Sequence, residues 1–450
     1  YFYASGSASA VLTEIFPKLK SKTFSFAKLR GSIARVGNDA GFDRLINSYS
    51  YGGLFRNDMA WFQGDAVRKN PNLKPETTIS KEIGAEVRLL DGRLTADVTY
   101  YDKYTRDQIV ESELSYLSNY QRVIINSGKI SNKGWEISVS GVPVKVKNFE
   151  WKTIFNWSKN NSMVESLPEG IDKIQIGSGV YNVKSYAEVG KPYGAIYAKT
   201  FKRDAEGYIL CQLDGSPKEG QDYEYLGCVQ ADWRGGWNNV FRLGNFSFSV
   251  MFDFQKGGKF FSQTSIQSSV DGQSVKSLEG RDADFFSRKI LGESDEERYG
   301  FMRPQNANTP TANGQIYPDW GRPKGVVLPN CRYDEDVEGL AGQQVLGYCT
   351  PERYWMHYTS RDISRFIYDA SYVKLREITV SYDLPKKWLR KTPFQTFRVA
   401  AVGRNIATLF ANTPHGLDPQ ATSTTGNAQG FERGFNLPSA TYGFDIKVSF

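Results

Sequence analysis

The sequence has no long apolar run. Among its 450 residues, the segment VAAV at Val399 to Val402 is typical of the longest, whereas a membrane-spanning helix needs ~18 apolar residues or more. A helical membrane protein is therefore excluded. The chain also lacks the charged-then-apolar pattern of a secretory signal at Tyr1, where it opens on the strand-like YFYASGSASA. We expect either a processed precursor or a piece of a longer chain.

Histidine is almost absent, and so are catalytic signatures. The chain contains 2 histidines, His357 and His415, and no His-Glu-x-x-His, Gly-x-Ser-x-Gly or phosphate-loop motif. Both histidines lie in predicted loops, where packing or hydrogen bonding accounts for them, so no catalytic residue and no enzyme activity is predicted. The 56 basic and 49 acidic residues are interleaved without a dense basic cluster. No nucleic-acid partner is predicted either.

Cysteine is scarce as well, with 4 residues and no Cys-x-x-Cys spacing. Cys211 is close in the sequence to Cys228, and Cys331 is close to Cys349. We therefore predict two local disulfides, 211–228 and 331–349, in an oxidising compartment. A zinc site is the alternative, which the spacing and the small number of histidines support poorly.

What the sequence does contain is two-residue alternation over long stretches. In NFSFSVMFDFQ, one face carries Phe246, Phe248, Val250, Phe252 and Phe254, while the other is mostly polar. The alternating segments run about 10–13 residues, the length that a tilted strand needs to cross a bilayer. Strands of a soluble sandwich, the alternative, are typically about 5–6 residues long. Aromatic residues make up 14% of the chain and concentrate near strand ends, as in the girdles of membrane barrels.

The alternation predicts eleven strands, joined by linkers that are short and long in turn. The predicted strands are residues 1–12, 23–36, 78–90, 93–106, 132–141, 148–160, 232–242, 245–256, 370–383, 394–404 and 439–450. The long linkers span 37–77, 107–131, 161–231, 257–369 and 405–438, and they contain all the cysteines. Tight turns on one rim and long loops on the other are typical of outer-membrane barrels. We therefore predict an all-β fold, a transmembrane antiparallel β-barrel.

The last predicted strand has large apolar residues at alternate positions, namely Tyr442, Phe444, Ile446, Val448 and Phe450. A terminal aromatic residue on such a strand resembles the assembly signal of outer-membrane barrels. The parity of the connections places Phe450 at the periplasmic rim. This strand is expected to help close the cylinder, because no strand edge is tolerated in lipid.

Seven motifs together resemble the SusC/RagA-type TonB-dependent outer-membrane transporters. NPNLKPETTISKEIGAE (Asn70 to Glu86) is similar to a strand-entry segment of TonB-dependent receptors in general. The motifs closer to the SusC branch are ARVGNDAG (Ala34 to Gly41), NSGKISNKGWE (Asn126 to Glu136), VGKPYGAIYAKTF (Val189 to Phe201), WRGGWNNVFRLGNFSFSVMFDFQKGGKFF (Trp233 to Phe261), ASYVKLREITVSYDLP (Ala370 to Pro385) and GLDPQ (Gly416 to Gln420). All seven occur in the order that the family has.

This resemblance implies a barrel of about 22 strands with a plugged lumen and long extracellular loops. Residues 1–450 would form the C-terminal portion, about half of the barrel, and the signal peptide, TonB box, plug domain and first strands would lie outside this chain. The implied function is TonB-dependent import of oligosaccharides or peptides across the Gram-negative outer membrane, beneath a SusD-like lipoprotein lid. The implied partners are the N-terminal half, the lid, TonB through that absent half, the substrate and the membrane lipid. The alternatives are a siderophore- or vitamin-type receptor, a passive porin and a soluble carbohydrate-binding β protein.

Aromatic residues of the loops are the predicted substrate contacts, because sugars and peptides bind to aromatic rings flanked by hydrogen-bonding groups. The candidates are Tyr116, Tyr120, Tyr317, Trp320, Tyr354 and Trp355, with packing inside the loops as the alternative. In CRYDEDVEG, Asp334, Asp336 and Glu338 occupy alternate positions, which weakly matches a calcium loop. A solvated acidic loop is the alternative there, and no cofactor is required.

Overall fold

The main element of the computed structural model is a sheet of eleven antiparallel strands, here called the wall. The structure describes residues 3–56, 58–114, 116–126, 128–213, 215–278, 326–349, 354–414, 416–420, 429–434 and 439–450. The wall strands are β1 (Ser5–Val11), β2 (Phe24–Asn38), β3 (Glu76–Leu89), β4 (Leu94–Arg106), β5 (Lys129–Val146), β6 (Phe149–Ser166), β7 (Trp233–Leu243), β8 (Phe246–Lys256), β9 (Tyr372–Asp383), β10 (Thr396–Ala411) and β11 (Thr441–Ser449). Their order in the sheet is their order in the sequence.

This meander confirms all eleven predicted strands. The turn between β3 and β4 shows why the prediction works, because Leu90, Asp91 and Gly92 adopt positive φ angles of 52°, 56° and 83°. Tight hairpin turns need such angles, and Asp-Gly supplies them at low cost. β6 and β10 extend several residues beyond their predicted limits at the long-loop rim, and β5, which was predicted over residues 132–141, is longer at both ends.

The side chains of the wall separate into an apolar and a polar face. On the apolar face, aromatic rings from neighbouring strands stack, with centroids 5.7 Å apart for Trp237 and Phe252 and 6.1 Å apart for Phe241 and Phe248. Such cross-strand pairs stabilise a sheet and fix its register. On the polar face, the Ser249 hydroxyl lies 3.1 Å from an oxygen of Asn238. The predicted alternation is thus confirmed in three dimensions.

Smaller elements occupy the connections. Their strands are Tyr49–Phe55, Met59–Gly64, Val67–Arg68, Ile109–Glu113, Arg122–Asn126, Lys173–Ser178, Lys184–Glu188, Ala195–Ala198, Ile209–Cys211, Glu224–Cys228, Lys259–Ser262, Val326–Tyr333, Gln344–Cys349, Ile367–Asp369 and Phe431–Glu432. The α-helices are Leu12–Ile15, Gln263–Val270 and Lys386–Leu389; single helical turns of other types cover Pro17–Leu19, Tyr116–Ser118, Val275–Leu278, Tyr354–Tyr358 and Ile363–Phe366. No helix in the described ranges is long and apolar enough to span a membrane.

The largest buried clusters of the described residues lie in the connections rather than in the wall. One cluster surrounds Phe201, Leu328 and Tyr354, and a second surrounds Ile196, Phe261 and Phe431. Both join segments that follow β6 and β8, and Phe431 adds a segment that follows β10. We call these packed connections the loop body. The wall therefore carries a folded domain on its long-loop rim.

Candidate functional site

The polar face of the wall is crossed by an ion pair that depends on a glycine. The Arg30 guanidinium donates to both carboxylate oxygens of Asp97, at 2.6 and 2.7 Å, and so links β2 to β4 across β3. Gly84 of β3 lies beneath the guanidinium, and a Cβ at this position would approach the Arg30 Nε to 2.7 Å. Bidentate geometry makes this a strong pair. The polar face therefore has charged groups fixed in place rather than mobile in solvent.

A denser network attaches the last long connection to the polar face. The Lys374 ammonium of β9 lies 2.5 and 2.6 Å from the carboxylate oxygens of Asp418 and 3.0 Å from the Gln420 side-chain oxygen. Arg376 donates to that same Gln420 oxygen at 2.7 Å and pairs with Asp253 of β8. We call Asp253, Lys374, Arg376, Asp418 and Gln420 the loop anchor. It holds segment 416–420 against the wall.

The loop anchor is largely removed from water. The Lys374 side chain is 5% exposed and the Asp418 side chain 17% exposed. A buried charge is strongly destabilising unless it is paired and hydrogen-bonded, so each partner requires the other. The five residues come from three of the motifs that carry the family resemblance, which meet here in space. The motifs are evident in the sequence, but the contact between them is not.

Two further motifs meet at Asn126. Its side-chain oxygen accepts a hydrogen bond from the Lys74 backbone N–H at 2.9 Å, and its side-chain nitrogen donates to the carbonyls of Lys74 and Asp107 at 2.7 Å each. One amide side chain thus satisfies backbone groups from two separate connections. Asn126 therefore positions the entry into β3.

The predicted aromatic substrate contacts have different outcomes. Tyr354 and Trp355 are buried in the loop body, 1% and 3% exposed, with their rings 5.1 Å apart, so neither presents a ring face to solvent in this conformation. Tyr120 is partly exposed in a connection. The side chain of Tyr116 and all of Tyr317 and Trp320 lie outside the described residues. Substrate contact by these residues stays a prediction.

The predicted disulfide between Cys211 and Cys228 is wrong. Cys228 is a free thiol whose sulfur lies 3.5 Å from the Tyr193 carbonyl oxygen, and burial raises its thiol pKa. Cys211 instead lies in a parallel strand pair with the segment around Cys331, where Ile209 is opposite Cys331. Proximity in the sequence was therefore a poor guide to pairing.

The register of the next strand pair also separates Cys331 from Cys349. Cys331 is opposite Val345, and Cys349 is opposite Val326. Cys349 is thus four residues beyond the position opposite Cys331, about 13 Å at ~3.3 Å per residue. A disulfide requires Cα atoms within about 7 Å, so this backbone does not allow the 331–349 bond. The Cys349 side chain lies outside the described residues.

The weak calcium candidate is a lysine-paired carboxylate cluster. Asp334 accepts hydrogen bonds from the ammonium groups of Lys202 at 2.9 and 2.8 Å and of Lys218 at 2.8 Å, while Lys218 also pairs with Asp336. Glu338 is exposed. Burial alone would raise the pKa of Asp334, but the hydrogen bonds from the two lysines outweigh it and lower that pKa to about 2. Two cations occupy the carboxylate that calcium would need. Within the described ranges, no group of His, Cys, Asp and Glu suits a metal ion.

The two histidines and the last strand are also placed. His357 lies in the helical turn Tyr354–Tyr358, whereas His415 falls outside the described residues. β11 pairs with β10 and presents Tyr442, Phe444 and Ile446 with exposed side chains. The ring of Phe450 packs edge-on against Phe394, with centroids 5.3 Å apart. The predicted apolar alternation of this strand is present, and its assembly role stays a prediction.

A family model described as TonB dependent receptor-like, beta-barrel matches residues 5–412. TonB-dependent receptor P3 of Formosa agariphila is 25% identical over 395 residues, which cover 83% of this chain and 33% of that protein. TonB-dependent receptor SusC of Bacteroides thetaiotaomicron is 29% identical over 104 residues, 23% of this chain and 10% of that protein. The chain spans about a third or less of the length of these curated relatives.

Solved structures give the same picture of the fold. The structure of the RagAB peptide transporter superposes with a TM-score of 0.67 at 16% sequence identity, covering 100% of this chain and 43% of that one. At this identity the likeness concerns the fold alone. Together with the family match, it confirms the predicted fold class, an antiparallel transmembrane β-barrel to which this chain contributes eleven strands.

Proposed function

The chain belongs to the TonB-dependent receptor-like β-barrel family and resembles its SusC and RagA members, and we propose that it forms the C-terminal part of a nutrient importer. Members of the family are transporters in the Gram-negative outer membrane, not enzymes. The importer takes up oligosaccharides or peptides in a TonB-dependent manner. Its long loops lie on the cell surface and its short turns in the periplasm.

The two-faced wall is the observation that carries this proposal. Its apolar face bears rings such as Phe246 and Phe248, which are 58% and 40% exposed to solvent in this structure. Large apolar areas on a protein surface mark an interface with lipid or another protein. The polar face bears fixed ion pairs such as Arg30 with Asp97. Lipid hydrocarbon would suit the apolar face, and a water-filled conduit would suit the polar face.

The sheet edges support a role for the rest of the transporter. β1 pairs only with β2 in the described sheet, and β11 pairs only with β10. Unpaired backbone groups are costly in hydrocarbon, so spanning sheets close into cylinders. The N-terminal half of the same protein would supply the strands that pair with β1 and β11, together with the plug and the TonB box.

The loop body supports a lidded importer over a porin. It is a packed domain on the long-loop rim, with fully buried residues such as Phe201 and Phe431. Because its interior is packed, the loop body presents a fixed outer surface, which suits docking of a SusD-like lipoprotein over the mouth of the barrel. A passive porin requires no such partner, and a siderophore-type receptor works without the lid.

Uptake by whole cells tests this function. The full-length transporter is expressed with and without its neighbouring lipoprotein in cells that have or lack TonB, and entry of fluorescent oligosaccharides and peptides is measured. We expect uptake of one class that requires both TonB and the lipoprotein. TonB-independent entry would indicate a porin. TonB-dependent uptake of an iron chelate or vitamin without the lipoprotein would indicate the siderophore-type alternative.

A further inference from the structure

A β-hairpin in the connection between β2 and β3 exposes a group of apolar side chains. Its strands are Tyr49–Phe55 and Met59–Gly64, and each of their residues except Gly53 is exposed. They pair only with each other in the described structure. Five of the 13 strand residues are aromatic, namely Tyr49, Tyr51, Phe55, Trp61 and Phe62. Soluble surfaces seldom expose so many rings together without a binding role.

The hairpin holds Trp61 as a flat platform. A Cβ at Gly52 would lie 2.5 Å from the indole, so the ring rests directly on the opposite strand where a side chain is missing. The neighbouring Gly53 has a φ of 122°, a conformation that glycine adopts without strain. Trp61 is nevertheless 45% exposed. One face of the indole is supported by backbone, and the ring remains open to solvent.

A second group of rings lies on the other face of the hairpin. The centroids of Tyr51 and Phe62 are 6.0 Å apart in an edge-on arrangement, and the Tyr49 ring lies over Gly64, where a Cβ would approach it to 3.4 Å. Tyr49 and Phe62 are 74% and 62% exposed. The rings are therefore ordered by contacts within the hairpin while their outer surfaces are uncovered.

Charge identifies the class of ligand. The strand sequences YSYGGLF and MAWFQG contain no Asp, Glu, Lys or Arg. The hairpin's charges lie in its turn, where Arg56 and Asp58 join the strands and the Arg56 guanidinium lies 5.4 Å from the centroid of the Phe55 ring. Beyond the second strand, Lys69 is paired with Asp43 at 2.7 Å and with Asp65 at 3.0 Å. Away from this turn, around Trp61 and Tyr49, the strands themselves offer an anionic or cationic ligand no counter-charge. Hydroxyl and amide groups at Ser50 and Gln63 can hydrogen-bond to a neutral polar ligand.

We infer that the strand pair Tyr49–Phe55 and Met59–Gly64 is a capture surface for neutral oligosaccharides, with Trp61 as its central platform. The C–H faces of sugar rings are apolar and stack on aromatic rings, while their hydroxyls bond to neighbouring polar groups. This inference rests on the proposed importer function and specifies where its substrate first binds. It assigns the site to residues outside the loop body.

Binding to the full-length transporter in detergent tests the inference. The probes are maltohexaose and cellohexaose as neutral glycans, hexagalacturonate as an anionic glycan, and an apolar octapeptide. Trp61→Ala is expected to weaken binding of a neutral glycan about 10-fold or more, the effect typical of a binding hot spot. Gly52→Ala, which crowds the indole without removing it, should weaken the same binding, and Trp61→Phe should restore part of it.

Trp388→Ala is the matched control. Trp388 is 60% exposed in helix Lys386–Leu389, on the short connection between β9 and β10 at the opposite rim, and its loss should leave glycan binding unchanged. Unchanged affinity in Trp61→Ala, or tighter binding of the peptide or the anionic glycan through the hairpin, would overturn the inference. Absence of glycan and peptide uptake by wild-type cells would instead overturn the proposed function.

Discussion

Neutralising Asp418 in the loop anchor should release segment 416–420 from the wall. In Asp418→Asn, the Lys374 ammonium would remain in a site where its side chain is 5% exposed. Removing one partner of a buried ion pair costs about 3–5 kcal/mol, and each ~1.4 kcal/mol is a factor of ten in an equilibrium. The open form of the segment should therefore become at least about 100-fold more populated.

Hydrogen exchange of the full-length transporter measures this population. The Leu417 backbone N–H, which donates to the Pro414 carbonyl at 3.0 Å, should exchange at least about 100-fold faster in Asp418→Asn. The exposed pair Lys20–Glu14, with side chains 56% and 68% exposed, is the control. Glu14→Gln should change the hydrogen-exchange rates of the backbone N–H groups around it by less than about threefold, because exposed ion pairs contribute little to stability.

A paired variant separates charge burial from loss of contact. Lys374→Met combined with Asp418→Leu leaves no unpaired charge at this position. The Leu417 backbone N–H should therefore exchange more slowly in this double variant than in Asp418→Asn alone. Exchange of Leu417 within threefold of the wild type in Asp418→Asn would refute the reasoning. The anchor would then be a surface contact without energetic weight.

Three further outcomes follow from single side chains. Gly84→Val should displace Arg30 and lower the thermal midpoint of unfolding, because overpacking costs about 1–3 kcal/mol. Gly31→Ala should leave the midpoint unchanged, because a Cβ there would lie 3.7 Å from its nearest neighbour, the Glu82 carbonyl oxygen. Equal midpoints in the two variants would contradict this. The pKa of Asp334 is lowered from 3.8 to about 2, so its stabilisation is present above about pH 4 and lost as the pH falls towards 2, about 2 kcal/mol in all. Protection of the loop body from hydrogen exchange should fall over this acid range in the wild type but not in Asp334→Asn. An unaltered acid transition in the variant would show that Asp334 is not its cause. Alkylation under denaturing, non-reducing conditions should label Cys228, because it is a free thiol. A disulfide-linked peptide containing Cys211 and Cys228 in mass spectra would contradict this.

The wall could be predicted from the sequence because its strands obey a local rule. Apolar and polar side chains alternate wherever one face meets a different environment from the other, and Asp91-Gly92 marked a turn by its chemistry alone. The prediction failed only at strand ends such as that of β10, which continues to Ala411. There the pairing of β9 with β10 contains register shifts at Val373/Lys374 and Leu375/Glu377, and such irregularities interrupt the alternation that defines a strand in the sequence.

The loops resisted prediction because their packing depends on distant segments. Tyr354 has the composition of a ligand platform, but it is buried by residues from connections that follow β6 and β8. Cys211 lies beside the segment of Cys331, more than a hundred residues away, rather than near its sequence neighbour. Lys374 and Asp418 both lie within family-like motifs, yet nothing local in the sequence indicates that they meet. Such contacts arise from topology, which a pattern of residue types does not encode.

The apolar face of the wall is expected to meet lipid, while its polar face meets water. Spin labels placed one at a time at residues 246 to 254 of the full-length transporter in bilayers measure this directly, through their accessibility to oxygen and to a water-soluble nickel chelate. We expect a two-residue period, with oxygen contact greatest at positions 246, 248, 250, 252 and 254 and nickel contact greatest at 247, 249 and 251, while position 253 is shielded because Asp253 belongs to the loop anchor. Equal accessibility along the strand, or protection of the even positions from both reagents, would contradict it.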